Sequence, residues 1–339
     1  MNNIINKENK ILLGHGSGGK LMNELILDEI VEAFGKDSIQ LDDAAILDVG
    51  DGKIAFTTDS YTITPIFFRG GNIGSLAING TVNDLAVMGA EPRYISCGLI
   101  IEEGLLLSEL RDILKAMREA ADYAGVQIVT GDTKVVQNGK ADKIFINTAG
   151  IGVFNKRVIR DKIRVGDKII VNGTIGDHGI TIMAQRNNFS FSSELSSDCA
   201  ALNHLVKKVI DKHSDSVRFI RDATRGGVAS VLNEMVSDKL YSAKLFEKDL
   251  PIRSETKSIC DILGIDPLYS ANEGKLIMVV DSANADKIIS VMRETKEGKN
   301  ATVIGEITDE FKAKVYLETL IKGRRMIPLL LEDQLPRIC

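Results

Sequence analysis

Residues Leu106–Asp132, LLSELRDILKAMREAADYAGVQIVTGD, decide the class of fold. Leu107, Leu110, Leu114, Met117 and Ala121 recur at helical spacing on one face, so Leu106–Ala124 reads as an amphipathic helix. Gly125 ends it, as glycine accepts the left-handed backbone of a helix stop. Val126–Thr130 follows at once as a β-branched strand running into Gly131-Asp132. A helix feeding directly into a strand points to layers of helix on sheet.

The same mixture extends outward in both directions. Ser75–Met88 reads as a helix stopped by Gly89, and Ala44–Leu47, Ile54–Thr58 and Ile144–Val153 read as strands. The glycine-rich Ile11–Gly19 precedes a helical pattern over Lys20–Phe34, with Leu21, Leu25, Ile26, Ile30 and Val31 at helical spacing. Charge then concentrates over Asn155–Gly166 in Lys156, Arg157, Arg160, Asp161, Lys162 and Arg164, and a domain boundary is placed there. The second half repeats the mixed pattern. Strands are expected at Lys168–Val171, Val217–Ile220, Lys275–Val280 and Lys314–Glu318, and helices at Ile180–Gln185, Asp198–Asp211 and Val228–Met235. From Ile321 periodicity fades. Strands and helices alternate irregularly, so a doubly wound sheet is not compelled. An α+β protein with helices covering one side of a mixed sheet in each half fits as well, over residues 1–155 and 156–320 with a mobile tail over 321–339.

Bulk properties exclude several classes. The 339 residues are 44% hydrophobic and carry a net charge of −5, which supports a sizeable core and argues against nucleic-acid binding through a basic face. Aromatic residues make up 5% with no Trp, which gives no base-stacking platform. No apolar run approaches the ~20 residues of a membrane span, and the polar Met1–Lys10 lacks the apolar stretch of a secretory signal. Cys97, Cys199, Cys260 and Cys339 are far apart and form no C-x-x-C pair, so no disulfide framework or zinc site is expected, and the chain reads as cytoplasmic.

The chemistry-bearing residues are acidic, apart from one thiol. Cys339 ends the segment Pro336-Arg337-Ile338-Cys339, where Pro336 favours extended chain and Arg337 favours thiolate. It reads either as a swinging reactive thiol or as an incidental cysteine on a frayed end. Asp42-Asp43, Asp59, Asp84 and Asp132 lie beside small residues where the pattern ends strands or helices, with no His or Cys among them; all-oxygen ligands suit Mg²⁺ with substrate phosphates. The alternative for each is a turn or cap. Gly14–Gly19 offers backbone N–H groups for phosphate, yet it is neither a P-loop nor a dinucleotide fingerprint. His15 either touches phosphate or caps the turn. Arg225, in Asp222–Gly227, either reaches phosphate or only opens a helix. Lys134 is a cation for the site or a solvated loop lysine, and Glu273 a general base or a turn carboxylate. His178, His204 and His213 share no spacing and read as structural or surface residues.

Taken together, His15-Gly16-Ser17-Gly18-Gly19, Asp42-Asp43-Ala44-Ala45, Thr57-Thr58-Asp59-Ser60, Gly80–Ala90, Gly131–Val136, Asp222–Gly227 and Pro336–Cys339 resemble the HypE family of hydrogenase maturation proteins. That family lies within a wider group with aminoimidazole ribonucleotide synthetase, selenophosphate synthetase and thiamine-monophosphate kinase. The acidic motifs are shared by the group, whereas the terminal cysteine motif singles out HypE, and the resemblance spans essentially the whole chain. It implies two aminoimidazole ribonucleotide synthetase-like (PurM-like) domains, a homodimer formed by the N-terminal domains, and ATP with Mg²⁺ near that interface. It implies nucleotide contacts from His15, Gly16, Ser17, Gly18, Asp43, Thr58, Asn83, Asp132, Thr133, Asp222 and Arg225, and metal contacts from Asp42, Asp43, Asp59, Asp84 and Asp132. It further implies that Cys339 receives a carbamoyl group from the carbamoyltransferase HypF. That group is then dehydrated to a thiocyanate with Lys134 and Glu273 assisting, and cyanide passes through the HypC–HypD complex to a [NiFe]-hydrogenase iron. Two other readings compete. A selenophosphate synthetase carries its reactive residue in the N-terminal glycine-rich segment, which here has no cysteine. A non-catalytic cyano carrier would not need the intact aspartates.

Overall fold

The computed structural model describes residues 11–12, 15, 19–34, 42–50, 52–155, 162–187, 195–331 and 338. Helix α1 (Lys20–Leu25) runs through π-helical turns over Ile26–Val31 into α2 (Glu32–Phe34). Strands β1 (Ala45–Val49), β2 (Gly52–Tyr61), β5 (Glu91–Glu102), β6 (Gln127–Val136) and β7 (Ile144–Val153) form one sheet in the order β1-β2-β7-β5-β6, and β3 (Phe67–Phe68) with β4 (Gly71–Asn72) forms a small hairpin. Helices α3 (Ile73–Val87) and α4 (Leu107–Ala124) belong to this half. Neighbours are antiparallel except β5 and β6, the pair joined through α4.

Helix α3 is the axis of the molecule. Asn72 caps it, its Oδ1 accepting the Gly74 and Ser75 N–H groups at 2.9 and 3.1 Å while Ser75 Oγ accepts the Asn72 N–H at 3.1 Å. Every residue of α3 except Ser75 and Asp84 is buried, as expected of a helix that is apolar nearly all round and wrapped by other elements. Gly89 supplies the stop, with φ of 83°. Helix α4 packs on α3, and its buried face is Ile113, Met117, Ala121 and Ala124. This corrects the expected stripe: Leu107 and Leu114 are exposed, because α4 is turned to bring Ile113 against Gly74 of α3. Strand β5, the longest, escaped the sequence pattern because Pro92 and Gly98 interrupt it. Pro92 is tolerated beside a register shift between Pro92 and Tyr94.

The second sheet has the order β14-β13-β10-β12-β8-β11-β9. Its strands are β8 (Lys168–Val171), β9 (Val217–Asp222), β10 (Ser242–Phe246), β11 (Leu276–Val280), β12 (Thr302–Thr308), β13 (Val315–Glu318) and β14 (Arg324–Met326). Its helices are α5 (Asp177–Arg186), α6 (Asn203–His213), α7 (Gly227–Val236), α8 (Ser254–Leu263) and α9 (Ala285–Arg293). Alternate residues of β11 enter different cores: Ile277 and Val279 join α7, whereas Leu276, Met278 and Val280 join α6 and α9. This sheet is therefore covered on both faces, not on one. Ala86 and Val87 of α3 belong to the α6–α9 core, so the halves share packed surface.

The start of the expected tail is also corrected. Arg324–Met326 pairs with β13, Ile327 is buried, and Tyr269 Oη and Asn233 Nδ2 donate to the Pro328 and Ile327 carbonyls at 2.7 and 2.9 Å. The chain stays packed through Leu331, whose carbonyl accepts the Leu21 N–H at 3.1 Å. Among the described residues no helix is long and apolar enough to cross a membrane.

Candidate active site

Both halves contribute to one open cleft of about 620 Å³. In β2 the odd-numbered residues face α3 and the even-numbered ones face away, which sends Asp59 and Tyr61 inward. Tyr61 Oη donates to Asp59 Oδ2 at 2.8 Å, and Thr57 Oγ1 donates to Asp84 Oδ2 of α3 at 2.7 Å. Strand and helix meet closely here: a Cβ on Gly80 would run into the Tyr61 hydroxyl, so glycine is required. The C-terminal half adds Asp222 at the end of β9, Thr224 and Arg225 before α7, and Glu273 before β11. Asp43 is held by Arg221, whose Nε donates to Asp43 Oδ1 at 2.8 Å and whose Nη1 donates to Glu234 Oε2 at 2.9 Å.

The electrostatics of this cleft are its distinguishing property. Burial first, then mutual repulsion, holds Asp84, Asp222 and Glu273 well above the ordinary carboxylate range. Asp84 faces Asp222, Asp59 and Asp43; Glu273 faces Asp222, Asp198 and Asp59, with Arg225 pulling the other way. Burial also raises Asp43 and Asp59, against the pull of Arg221 on the first and of Tyr61 and Arg225 on the second. Asp222 Oδ2 and Glu273 Oε1 are buried with no hydrogen-bond partner. Such oxygens are costly to bury and call for a cation or a proton donor. Among the described residues no three His, Cys, Asp or Glu side chains already converge on one metal position. An all-oxygen set of this kind suits Mg²⁺, which takes one or two carboxylates and completes its shell with phosphate oxygens and water.

The remaining expected residues divide. Asp42 lines the cleft. Thr58 points to the opposite face of β2 and donates to the Thr148 carbonyl at 3.1 Å, so within one chain it does not line the cleft. Asn83 does not line it either: its Nδ2 donates to the Ala200 carbonyl at 3.1 Å and its Oδ1 accepts the Leu202 N–H at 2.8 Å, which ties α3 to the second half. Asp132, Thr133 and Lys134 lie inside the exposed edge strand β6, not at a strand end, and Lys134 Nζ donates to Asp132 Oδ1 at 2.9 Å. The Lys134 hydrogen bond holds Asp132 below the usual carboxylate range. The pairings Asp59–Thr148, Thr148–Cys97 and Cys97–Gly131 put three strand spacings, about 14 Å, between Asp59 and this segment. Within one chain, Asp132 and Lys134 therefore do not reach the cleft. His15 Nδ1 accepts the Leu12 N–H at 2.9 Å, whereas Gly16, Ser17, Gly18 and Cys339 lie outside the described residues. Cys97, Cys199 and Cys260 are inert by burial, which pushes their thiols up to about 11, 12 and 12.

Sequence reasoning missed Arg221, Tyr61 and Asp198. Asp198 was expected to open a helix. Instead it is buried outside α6, accepting the Glu273 N–H at 3.0 Å and Lys275 Nζ at 2.9 Å. Burial opposes its charge, but Lys275 and the other donors hold it below the ordinary value. Nothing in the local pattern marks it, since its partners are 75 and 77 residues away.

Known proteins resemble both halves of this chain. Family models for the N-terminal and C-terminal domains of AIR synthase related proteins match residues 41–154 and 164–318. The carbamoyl dehydratase HypE of Escherichia coli strain K12 is 44% identical over 340 residues, covering 98% of this chain and 100% of the relative. A solved HypE–HypF complex contains a chain that superposes with a TM-score of 0.84 at 41% identity, covering 90% of this chain and 99% of that one. A HypE structure in complex with ATP gives a TM-score of 0.81 at 43% identity, covering 97% of this chain and 100% of that one.

Proposed function

We propose that this chain, which belongs to the HypE family of carbamoyl dehydratases, converts an S-carbamoyl group on its own Cys339 into a thiocyanate at the expense of ATP, supplying the cyanide ligand in hydrogenase maturation. The balanced change is R–S–C(=O)–NH₂ + ATP → R–S–C≡N + ADP + phosphate + H⁺. Oxide is a very poor leaving group. The amide oxygen therefore attacks the γ-phosphorus, the bond to ADP breaks, and loss of the N–H protons expels the oxygen as phosphate. The observation that carries this reading is the cleft of buried carboxylates with two orphaned oxygens, Asp222 Oδ2 and Glu273 Oε1.

Glu273 takes the proton. Its burial among other carboxylates raises its affinity for one, and its free oxygen faces no protein donor. Arg225 offsets the local negative charge and, with Asp222 and His15, contacts the nucleotide. Asp42, Asp43, Asp59 and Asp84 would hold Mg²⁺, which supplies neutralisation of the polyphosphate. Carrying the substrate on the chain's own end removes much of the entropy cost of bringing the reactants together.

The cleft is completed by a second copy. The face of the first sheet turned away from α3 exposes Phe56, Tyr94 and Ile100, and β6 exposes Ile128, Val129 and Val135 along an edge with no partner strand among the described residues. An apolar sheet face with an open edge favours pairing, and a homodimer through this surface would bring Asp132, Thr133 and Lys134 of one copy to the cleft of the other. HypF is the proposed source of the carbamoyl group and the HypC–HypD complex the proposed acceptor of cyanide. We divide the chain into residues 1–155, which carry the nucleotide and the dimer face, residues 156–320, and a terminal segment ending in the reactive thiol.

The test is ADP formation by carbamoylated and unmodified protein in parallel. Dehydration requires ADP only from the carbamoylated chain, one per thiocyanate. Equal ADP from both would leave a carrier with incidental ATPase.

A further inference from the structure

Ile338, the residue before the terminal cysteine, returns to the interior. It is 1% exposed and lies in the apolar cluster that also contains Ile182 of α5, Ala201 and Ala271. Its carbonyl oxygen goes in with it, and that oxygen has a dedicated partner: His178 Nε2 lies 2.9 Å away. His178 is fully buried, and its Nδ1 lies 2.7 Å from Ser197 Oγ, which also accepts the Cys199 N–H at 3.1 Å.

For an uncharged ring, one arrangement of protons satisfies all of these contacts. A backbone N–H only donates and a carbonyl only accepts. The Cys199 N–H therefore donates to Ser197 Oγ, the Ser197 hydroxyl donates to His178 Nδ1, and His178 Nε2–H donates to the Ile338 carbonyl. The chain fixes the Nε2–H tautomer of a neutral imidazole. Burial lowers the His178 pKa below its ordinary value, against the charge of Asp198 and the Ile338 carbonyl, which keeps the ring uncharged. Phe68 stands edge-on at 5.5 Å and stops the ring from turning. The residue before it is anchored as firmly, since Asp177 accepts Thr256 Oγ1 at 2.7 Å and Arg253 Nε at 3.1 Å.

We propose that His178 is the latch that holds the terminal segment inward, its Nε2–H gripping the Ile338 carbonyl while the Ile338 side chain fills an apolar socket, so that Cys339 is presented to the carboxylate cleft. This rests on Cys339 being the substrate's anchor. His178 touches no reacting atom and acts as a positioning residue. A donor aimed at a main-chain carbonyl reads position along the chain and no side chain; the socket supplies the selectivity for an aliphatic residue. The latch and the base are set by neighbouring residues of one loop. Ser197 orients His178, and Asp198 accepts the Glu273 N–H at 3.0 Å. The peptide link places the Cys339 Cα about 3.8 Å from that of Ile338, the residue His178 holds beside this loop.

The test labels Cys339 with a bulky fluorescent maleimide on the full, uncarbamoylated chain, with the labelled site read by peptide mass. His178→Phe keeps the ring and removes the donor; His178→Gln restores an amide donor. The expected result is labelling about tenfold faster in His178→Phe, the scale of one buried hydrogen bond, with recovery toward the original rate in His178→Gln. Single-turnover dehydration should slow in His178→Phe with the KM for ATP unchanged. Ile338→Ser, which leaves His178 and its other partners intact, should also speed labelling. Unchanged labelling in His178→Phe, or in Ile338→Ser should the first variant not fold, overturns the latch. Faster labelling in a protein that never forms thiocyanate keeps the latch and removes the dehydratase reading.

Discussion

Glu273 combines two properties that seldom coincide: it is 3% exposed, and one of its oxygens has no partner. Its carboxyl is raised by burial and then by Asp222, Asp198 and Asp59. A base must be unprotonated to act, so activity falls as pH drops through its raised pKa, and the acidic limb of the single-turnover rate lies above the ordinary glutamate range. The Glu273→Gln variant should lose that limb and lower the rate about 10²–10⁴-fold, the usual scale for a general base, with ATP still bound. A normal rate in that variant would move the role elsewhere. Several residues of the site were readable from the sequence, because Asp43, Asp59, Asp84, Asp222 and Glu273 sit in short distinctive segments. His178 was not: its partners are Ser197, 19 residues away, and Ile338, 160 residues away, and no local spacing marks such a contact.

Strand β6 shows why element boundaries matter to function. The sequence ends it near Thr130, before Gly131-Asp132, because glycine and aspartate usually stop strands. The structure carries it on to Val136, in parallel register with β5, and so leaves Asp132 and Lys134 midway along an exposed edge. Helix α4 was recognisable by its period, yet its buried face was misjudged by one residue because close approach at Gly74, not the sequence pattern, sets its rotation. The position of Lys134 leads to a test of the proposed sharing of the cleft between two copies. Lys134→Ala and Glu273→Gln proteins, each slow alone, should recover about a quarter of the original activity when mixed and allowed to exchange subunits. Half of the dimers are then mixed, and each holds one intact cleft of two. No recovery would place Lys134 outside the cleft of the neighbouring copy.

On the scale of the molecule, α3 joins two sheets of different construction, one with an open apolar face and one covered on both sides. The alternation of helix and strand made the α+β class legible. The number of layers over the second sheet was not, because it is set by contacts between elements distant in sequence and not by the pattern of any one element. The architecture brings carboxylates from both halves to one cleft and buries Ile338 in the interior. The most direct test of that arrangement loads the terminal thiol with a ¹³C-labelled carbamoyl group, adds ATP and Mg²⁺, and follows the protein by infrared spectroscopy and intact mass. A nitrile band that shifts with the label, together with loss of one water from the loaded chain and none in Cys339→Ser, is the predicted result. ADP release without a nitrile, or a nitrile on the serine variant, would contradict it.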